Sequence, residues 1–321
     1  MTYPTWRVQI KDACQHIESL EARLGSSLSK VKRPFKLRAP WQWIDKINPN
    51  DPNDPILRQI LPVTDEEESA DWPLDAVEDQ RFNPLPSVVH KYASRALITT
   101  TGACAIHCRY CFRQHFNYSA NVLTPKAVSA IIGYLATHPD IDEIVLSGGD
   151  PLTLGTEKLS SLIEPILAMP QITTLRIHSR TPVVIPERLT KQLRHWLSEL
   201  PKQVVLVLHV NHAQEIDDNL ANYLRPFGQL SNLTLLNQSV LLRGVNDDAA
   251  ALAALSRALF QIGVLPYYLH LLDKVAGTRH FWVEDARAIS IYQDLQAMLP
   301  GYLVPKLARD NPGEPSKSLI V

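Results

Sequence analysis

The stretch at residues 100–116, TTGACAIHCRYCFRQHF, carries three of the chain's four cysteines, Cys104, Cys108 and Cys111, in the spacing C-x3-C-x2-C. A [4Fe-4S] cube normally takes four cysteine thiolates, so three on one loop would hold three irons and leave the fourth open. An open iron can bind a substrate as well as pass an electron to it. The spacing alone leaves a second chemistry open, because a structural zinc site takes four ligands and His107 or His115 could complete one. On that reading the chain is a non-catalytic metal-binding protein. The remaining cysteine, Cys14, lies in a stretch of helical pattern and reads as a small buried hydrophobe.

With 321 residues the chain has room for one large barrel-type domain or two small ones, and 45% hydrophobic content supplies a sizeable core. Lysine and arginine number 32 against 33 acids. That balance carries no electrostatic footprint of nucleic acid or an anionic membrane as partner. The opening MTYPTWRVQIKDACQH has polar and charged residues where a signal peptide carries an apolar run, and no stretch reaches membrane-spanning length. The expectation is a soluble cytoplasmic chain. Clustered cysteines also suit metal ligation in a reducing compartment better than a disulfide framework.

Around the cysteine loop the chain falls into three parts. Residues 6–24 place Val8, Ala13, Ile17, Leu20 and Leu24 near helical spacing with Gly25 as a stop, predicting a helix on the outside of the main domain. Residues 32–86 are rich in proline, tryptophan and acid, too dense in proline for a long regular element, and read as a segment wrapped on a surface. Within it, the acidic run 65–68 reads as a solvated face. From about residue 87 to 300, strand and helix alternate: RALITT (95–100), EIVLSGG (143–149), TLRIHSR (174–180), VVLVLHV (204–210), LTLLNQSVLL (233–242) and PYYLHLLD (266–273), separated by amphipathic runs such as 124–138, 156–169, 186–200 and 247–263. Thr124-Pro125 and Ile185-Pro186 are expected helix starts. Residues 301–321 form a short tail.

Strict alternation with continuous apolar strands indicates a parallel sheet covered by helices, either a flat doubly wound sheet or an open barrel. Polar motifs fall at the carboxyl ends of all six strands, where α/β barrels gather their catalytic groups. This favours a partial (β/α)6 barrel with an N-terminal helical and irregular extension. The loop spacing, with Tyr110 before its last cysteine, resembles that of the radical S-adenosylmethionine (radical SAM) enzymes, whose fold is such a partial barrel. In that superfamily the open iron chelates SAM and an electron from the cluster releases a 5'-deoxyadenosyl radical. The run Gly148-Gly149-Asp150 resembles the superfamily's motif for the SAM amino group, and His209, Asn211 and Gln238 would by the same resemblance face SAM.

A narrower resemblance runs in order from about residue 90 to 317. HKYASRALITTTGAC, CFRQ, SGGDPL, SRTPVV, NH-x-x-EI, NQSVLLRGVND, Asp-x-x-x-GT-x-HF and DNPGEPSK together resemble the lysine 2,3-aminomutases. That family adds pyridoxal phosphate (PLP) to the radical machinery and moves an amino group from Cα to Cβ of lysine. The resemblance implies that Lys317 forms the Schiff base with PLP and that Lys91 and Arg95 bind its phosphate. It assigns Arg113 to the substrate carboxylate, and Asp273 and Asp310 to the ε-ammonium. It further implies L-lysine as substrate and an external electron donor. The clostridial members carry a zinc-binding extension and a cysteine after the GVND run. Here Asp248 follows GVND and the sequence ends at Val321, so structural zinc is not expected. The short tail, the GEPSK ending instead of a glycine run, and the N-terminal helix resemble the branch that makes (R)-β-lysine for the ligase that modifies elongation factor P. A catabolic lysine or other amino acid 2,3-aminomutase is the alternative within the family. GEPSK in place of that family's glycine run puts the geometry around Lys317 in question.

Overall fold

A computed structural model describes residues 3–28, 31, 33–69 and 71–320. Nine strands form one sheet in chain order: β1 (Val88–Tyr92), β2 (Arg95–Thr101), β3 (Glu143–Gly148), β4 (Thr174–Ser179), β5 (Gln203–His209), β6 (Leu233–Val240), β7 (Leu265–His270), β8 (Lys306–Arg309) and β9 (Ser318–Leu319). Strands β2 to β8 are parallel. β1 and β9 run antiparallel at the two edges. These edges do not pair with each other, so the sheet is the open, partial barrel expected.

All six expected strands are present. The seventh parallel strand, β8, was not expected, because its four residues KLAR are too few to show a period of two. It and β9 bring the C-terminal tail into the sheet. At the other edge, β1 turns into β2 through a tight hairpin in which Tyr92 pairs with Arg95.

Helices Pro125–Ala136, Thr156–Leu167, Lys191–Glu199, Asp218–Leu224, Ala249–Gln261 and Asp285–Met298 supply the crossovers. The first shows why they form. The Thr124 hydroxyl accepts from the Ala127 N–H, Pro125 fits the first turn, and Val128, Ile131 and Leu135 recur on one face. That face shares one apolar core with Ile98, Ile144 and Leu146 of the sheet. Each such buried side chain contributes about 1.5–3 kcal/mol. The expected start at Ile185-Pro186 is a correction: Pro186–Arg188 is a 3-10 turn, and the helix begins after Thr190, which caps Leu193 N–H at 3.0 Å. The buried Arg188 guanidinium, bonded to the carbonyls of Leu152 and Leu154 at 2.6 and 2.9 Å, holds the intervening turn in place.

The N-terminal region requires two further corrections. Residues 6–24 form two helices, Trp6–Lys11 and Ile17–Leu24, rather than one. The break occurs where Cys14 exchanges backbone hydrogen bonds with Ala39 at 2.8 and 3.0 Å, an extended contact incompatible with a continuous helix. Cys14 is buried and Gly25 caps the second helix in the left-handed conformation, both as expected. Beyond it, short turns bury Trp43, Ile44, Ile56, Leu57 and Ile60 in a second apolar core, shared with Ala105 and Ile106 of the cysteine loop. The acidic run is not wholly a solvated face, because Glu66 is buried and binds Arg109 within that loop through Nε at 2.9 Å and through Nη2. The wrapping segment thus grips the loop from outside. Its grip includes backbone bonds from His107 N–H to Arg38 and from Arg109 N–H to Gln59.

Candidate functional site

Because β2 to β8 are parallel, the residues at their carboxyl ends share one mouth, and a cavity of about 280 Å³ opens there. Its walls include Cys104, Cys108 and Cys111 on one side and Asp273, Asp310 and Lys317 on the other, with Lys91, Arg95, Arg113, Gly148, Gly149, Asp150, His209 and Gln238 between. Asn211 is not on this wall. It is fully buried behind it, where its amide donates to the Tyr110 hydroxyl at 2.7 Å and to Gln59 at 3.0 Å.

The cysteine loop leaves β2 and crosses directly over the end of β3. Gly149 N–H donates to Thr101 O at 2.7 Å and Asp150 N–H to Ala103 O at 2.8 Å. A Cβ at Gly149 would lie 2.5 Å from Ala103 O, and one at Gly148 2.8 Å from Thr101 O, where φ is also +113°. The two glycines are therefore required by the close approach of the cysteine loop. The Asp150 carboxylate receives the Ser179 hydroxyl at 2.7 Å and the N–H groups of Leu152, Arg180 and Thr181 at 2.8 to 3.0 Å. It ties the end of β3 to the end of β4 and caps the turn Pro151–Thr153 that follows it. Burial, assisted by the neighbouring thiols, pushes the Cys104 and Cys111 thiols up, the latter to about 12. Iron ligation would reverse this preference by stabilising the thiolates.

The residues fit a cluster better than zinc. His107 spends Nδ1 on Lys36 O at 2.9 Å and stacks on Phe35, while His115 Nε2 lies 3.2 Å from Ala276 O. Both histidines that could have completed a zinc site are thus engaged outside the thiol group. His209 stacks on Tyr110, with Nε2 3.1 Å from its hydroxyl, and burial with Arg180 nearby lowers its pKa to about 3. The ring is neutral at any physiological pH.

The opposite wall carries charge. The hairpin from β8 to β9 folds the tail back so that Lys317 Nζ sits 3.0 Å from Asp310 Oδ2, with Tyr92 donating to the other carboxylate oxygen at 3.1 Å. GEPSK is accommodated as an exposed turn, with Gly313 at φ +84° taking the left-handed position. Burial would raise the Asp310 carboxyl, but Lys317 and Lys91 outweigh it and hold it below the usual range. Asp273, by contrast, has no side-chain hydrogen bond among the described residues, and burial pushes its carboxyl up to about 7.

Asp79 was not singled out from the sequence, yet it organises this region. It is 1% exposed and pairs with both Arg113, Nε to Oδ2 at 2.6 Å, and Lys91, Nζ to Oδ1 at 2.9 Å. Burial raises its carboxyl, and the two cations more than offset this, so it stays ionised. Arg113 also gives Nη1 to Ser147 Oγ at 3.1 Å, leaving Nη2 without a partner among the described residues. Lys91 is committed to Asp79 and to Val77 O at 2.6 Å. Arg95 lies over the Tyr92 ring at 4.3 Å and has no ion pair among the described residues. Also missed were His178, whose buried Nε2 has no partner among the described residues, and Arg180, which reaches Cys108. A lone histidine in a strand and an arginine in a proline-flanked turn give no periodic or spacing signal.

Residues 98–233 match the family model described as the radical SAM superfamily. The chain is 46% identical to the L-lysine 2,3-aminomutase of Haemophilus influenzae over 90% of this chain and 86% of that protein. It is 46% identical to the L-lysine 2,3-aminomutase of Escherichia coli over 90% and 84%. The chain belongs to the lysine 2,3-aminomutase family of radical SAM enzymes. The relationship extends to the L-lysine 2,3-aminomutase of Clostridium subterminale at 31% identity, over 98% of this chain and 77% of that protein. Asp248, which stands after the GVND run, here caps helix Ala249–Gln261 by accepting from Ala251 N–H at 2.8 Å. Among the described residues no helix is long and apolar enough to cross a membrane.

Proposed function

We propose that the protein is an isomerase that converts L-lysine to (R)-β-lysine with a [4Fe-4S] cluster, SAM and PLP, in the cytoplasm, and that its product is attached to elongation factor P by a dedicated ligase. The observation that carries this reading is the sharing of one cavity by the three cysteines and by Lys317, with acids beside the lysine and a partly free arginine between. When bound, the cluster would supply the electron that cleaves SAM to methionine and a carbon radical, and PLP would supply the conjugated system that takes up spin while nitrogen migrates.

On this reading Cys104, Cys108 and Cys111 hold the cluster, and the carbonyl-rich end of β3 with His209 and Gln238 receives SAM. Lys317 would hold PLP in place of its ion pair with Asp310. Arg95, lacking an ion pair, receives the phosphate, with Lys91 adding charge from its seat on Asp79. Arg113, held flat by Asp79 and Ser147, offers Nη2 to the substrate carboxylate. Asp310, vacated by Lys317, and Asp273 face the ε-ammonium. An ammonium between two acids favours the ionised form of Asp273 and replaces the cation that Asp310 gives up. A shorter or uncharged amino acid would leave these acids unpaired in a buried site, at a cost of about 1–3 kcal/mol or more. The same acids disfavour glutamate as substrate.

The test is anaerobic reconstitution with iron, sulfide, PLP, SAM and a low-potential reductant, which stands in for the external electron donor, followed by chiral analysis of products from L-lysine. The expected product is (R)-β-lysine. (S)-β-lysine, or no β-lysine from a fully loaded enzyme, would overturn the assignment.

A further inference from the structure

The wall behind Cys108 contains a buried polar network that the reading above does not use. Arg180, 7% exposed, directs Nη1 at Cys108 Sγ, 2.8 Å away, and also bonds the Tyr110 hydroxyl. Its Nη2 donates to Gln59 Oε1 at 2.7 Å and to Glu215 Oε2 at 2.8 Å. Its backbone N–H is fixed by Asp150, and its guanidinium lies over the Trp43 and Tyr110 rings. Glu215 is fully buried, and its other oxygen accepts the N–H groups of Asn211 and His212 at 2.9 and 3.0 Å. Burial works against the Arg180 charge, but Cys108, Tyr110 and Glu215 outweigh it and keep the guanidinium protonated. Cys108 is the one cysteine of the three whose sulfur receives a charged side-chain donor among the described residues.

We propose that Arg180 is a positioning residue that tunes the cluster: its Nη1–H···S bond to Cys108 raises the cluster's reduction potential, and Gln59 and Glu215 hold the guanidinium at that sulfur. The proposal rests on the cluster assignment made above. A hydrogen bond to a ligating sulfur, together with a fixed positive charge, withdraws electron density from the thiolate. Both act more strongly on the reduced cluster, which carries one more negative charge. In a buried site little solvent screens the effect. Glu215 opposes it, because its carboxylate cancels part of the guanidinium field. Gln59 and Trp43 belong to the wrapping segment, so the N-terminal part of the chain holds the guanidinium that faces Cys108.

These opposed signs provide the test. Wild type, Arg180→Gln and Glu215→Gln would be reconstituted anaerobically, assayed for iron and sulfide, and titrated with reductant while the reduced cluster is followed by electron paramagnetic resonance. Arg180→Gln is expected to lower the reduction equilibrium constant about tenfold, equal to 59 mV for one electron. Glu215→Gln, which retains the cation and removes its counter-charge, is expected to move the potential the other way. Full clusters at unchanged potential in both variants would overturn the proposal, as would shifts of the same sign. If Arg180→Gln takes up no iron, the Glu215→Gln and Gln59→Leu potentials decide: movement upward in the first and downward in the second supports the proposal, and wild-type values in both overturn it. A wild-type protein that forms no [4Fe-4S] cluster would instead defeat the assignment on which this proposal rests.

Discussion

At the cysteine end of the cavity the buried charges are held by fixed partners, Arg180 by Gln59 and Glu215, Arg109 by Glu66, and Asp150 by four donors. At the Lys317 end, among the described residues, the Asp273 side chain has no hydrogen bond, the Arg95 guanidinium has a tyrosine ring and no ion pair, and the Lys317 ammonium pairs with Asp310 alone. The first end's buried charges are already paired, whereas the second is left with charges that a ligand would complete. A site that makes a radical benefits from fixed walls that exclude water. One that exchanges PLP, substrate and product needs partners it can release.

If the two ends are separately built, each can be removed without the other. Cys104→Ala is expected to abolish turnover and most iron uptake while leaving the PLP absorbance of the purified protein intact. Lys317→Ala is expected to do the reverse, removing the lysine-linked PLP absorbance with iron content unchanged and turnover again at background. Loss of both groups in either variant would show one coupled site instead of two. A smaller and more selective break is Gly149→Ala. Its Cβ would meet Ala103 O at 2.5 Å and Gly102 C at 2.7 Å, both backbone atoms that cannot swing away. The cysteine loop must therefore move. Iron per chain should fall at least about twofold, with strain of about 1–3 kcal/mol and with PLP retention unaffected.

The same contrast explains which parts were readable beforehand. The six long parallel strands and the cysteine spacing repeat on a scale of a few residues, so the sequence displays them directly. The positions now gathered at the Lys317 end were named through family resemblance, since nothing in a terminal DNPGEPSK signals a strand that folds back over a barrel mouth. Asp79 was invisible, because its partners Lys91 and Arg113 lie 12 and 34 residues away and no local pattern links them. Glu66 was misread for a related reason: in an acidic run, which carboxylate turns inward depends on a distant arginine, here Arg109. The single helix expected over residues 6–24 failed on the backbone pairing of Cys14 with Ala39, which side-chain periodicity cannot report.

The least drastic way to sharpen the comparison is to remove the charge that has no partner. Burial holds the Asp273 carboxyl at about 7 in the folded chain, against about 3.9 when unfolded. Between those values the folded state keeps a proton that the unfolded state has released. Stability therefore declines as pH rises through that window, and the whole penalty is present above about pH 7. Asp273→Asn keeps the shape and cannot ionise. In ligand-free protein it should raise Tm at pH 8 by at least about 2 °C, corresponding to roughly 1 kcal/mol in a chain of this size, and should leave Tm unchanged near pH 4. The same substitution should raise the KM for lysine at pH 8 by about tenfold, one charged hydrogen bond's worth. Thermal scans at the two pH values, set beside lysine saturation curves, measure both effects on one variant. A fixed-partner acid such as Asp79 should behave oppositely: its carboxyl lies below the usual range, so its pairing contributes stability above the unfolded pKa that is lost on acidification, and Asp79→Asn should lower Tm at pH 8. If Asp273→Asn also lowers Tm there, Asp273 belongs with the fixed partners and the distinction between the two ends fails.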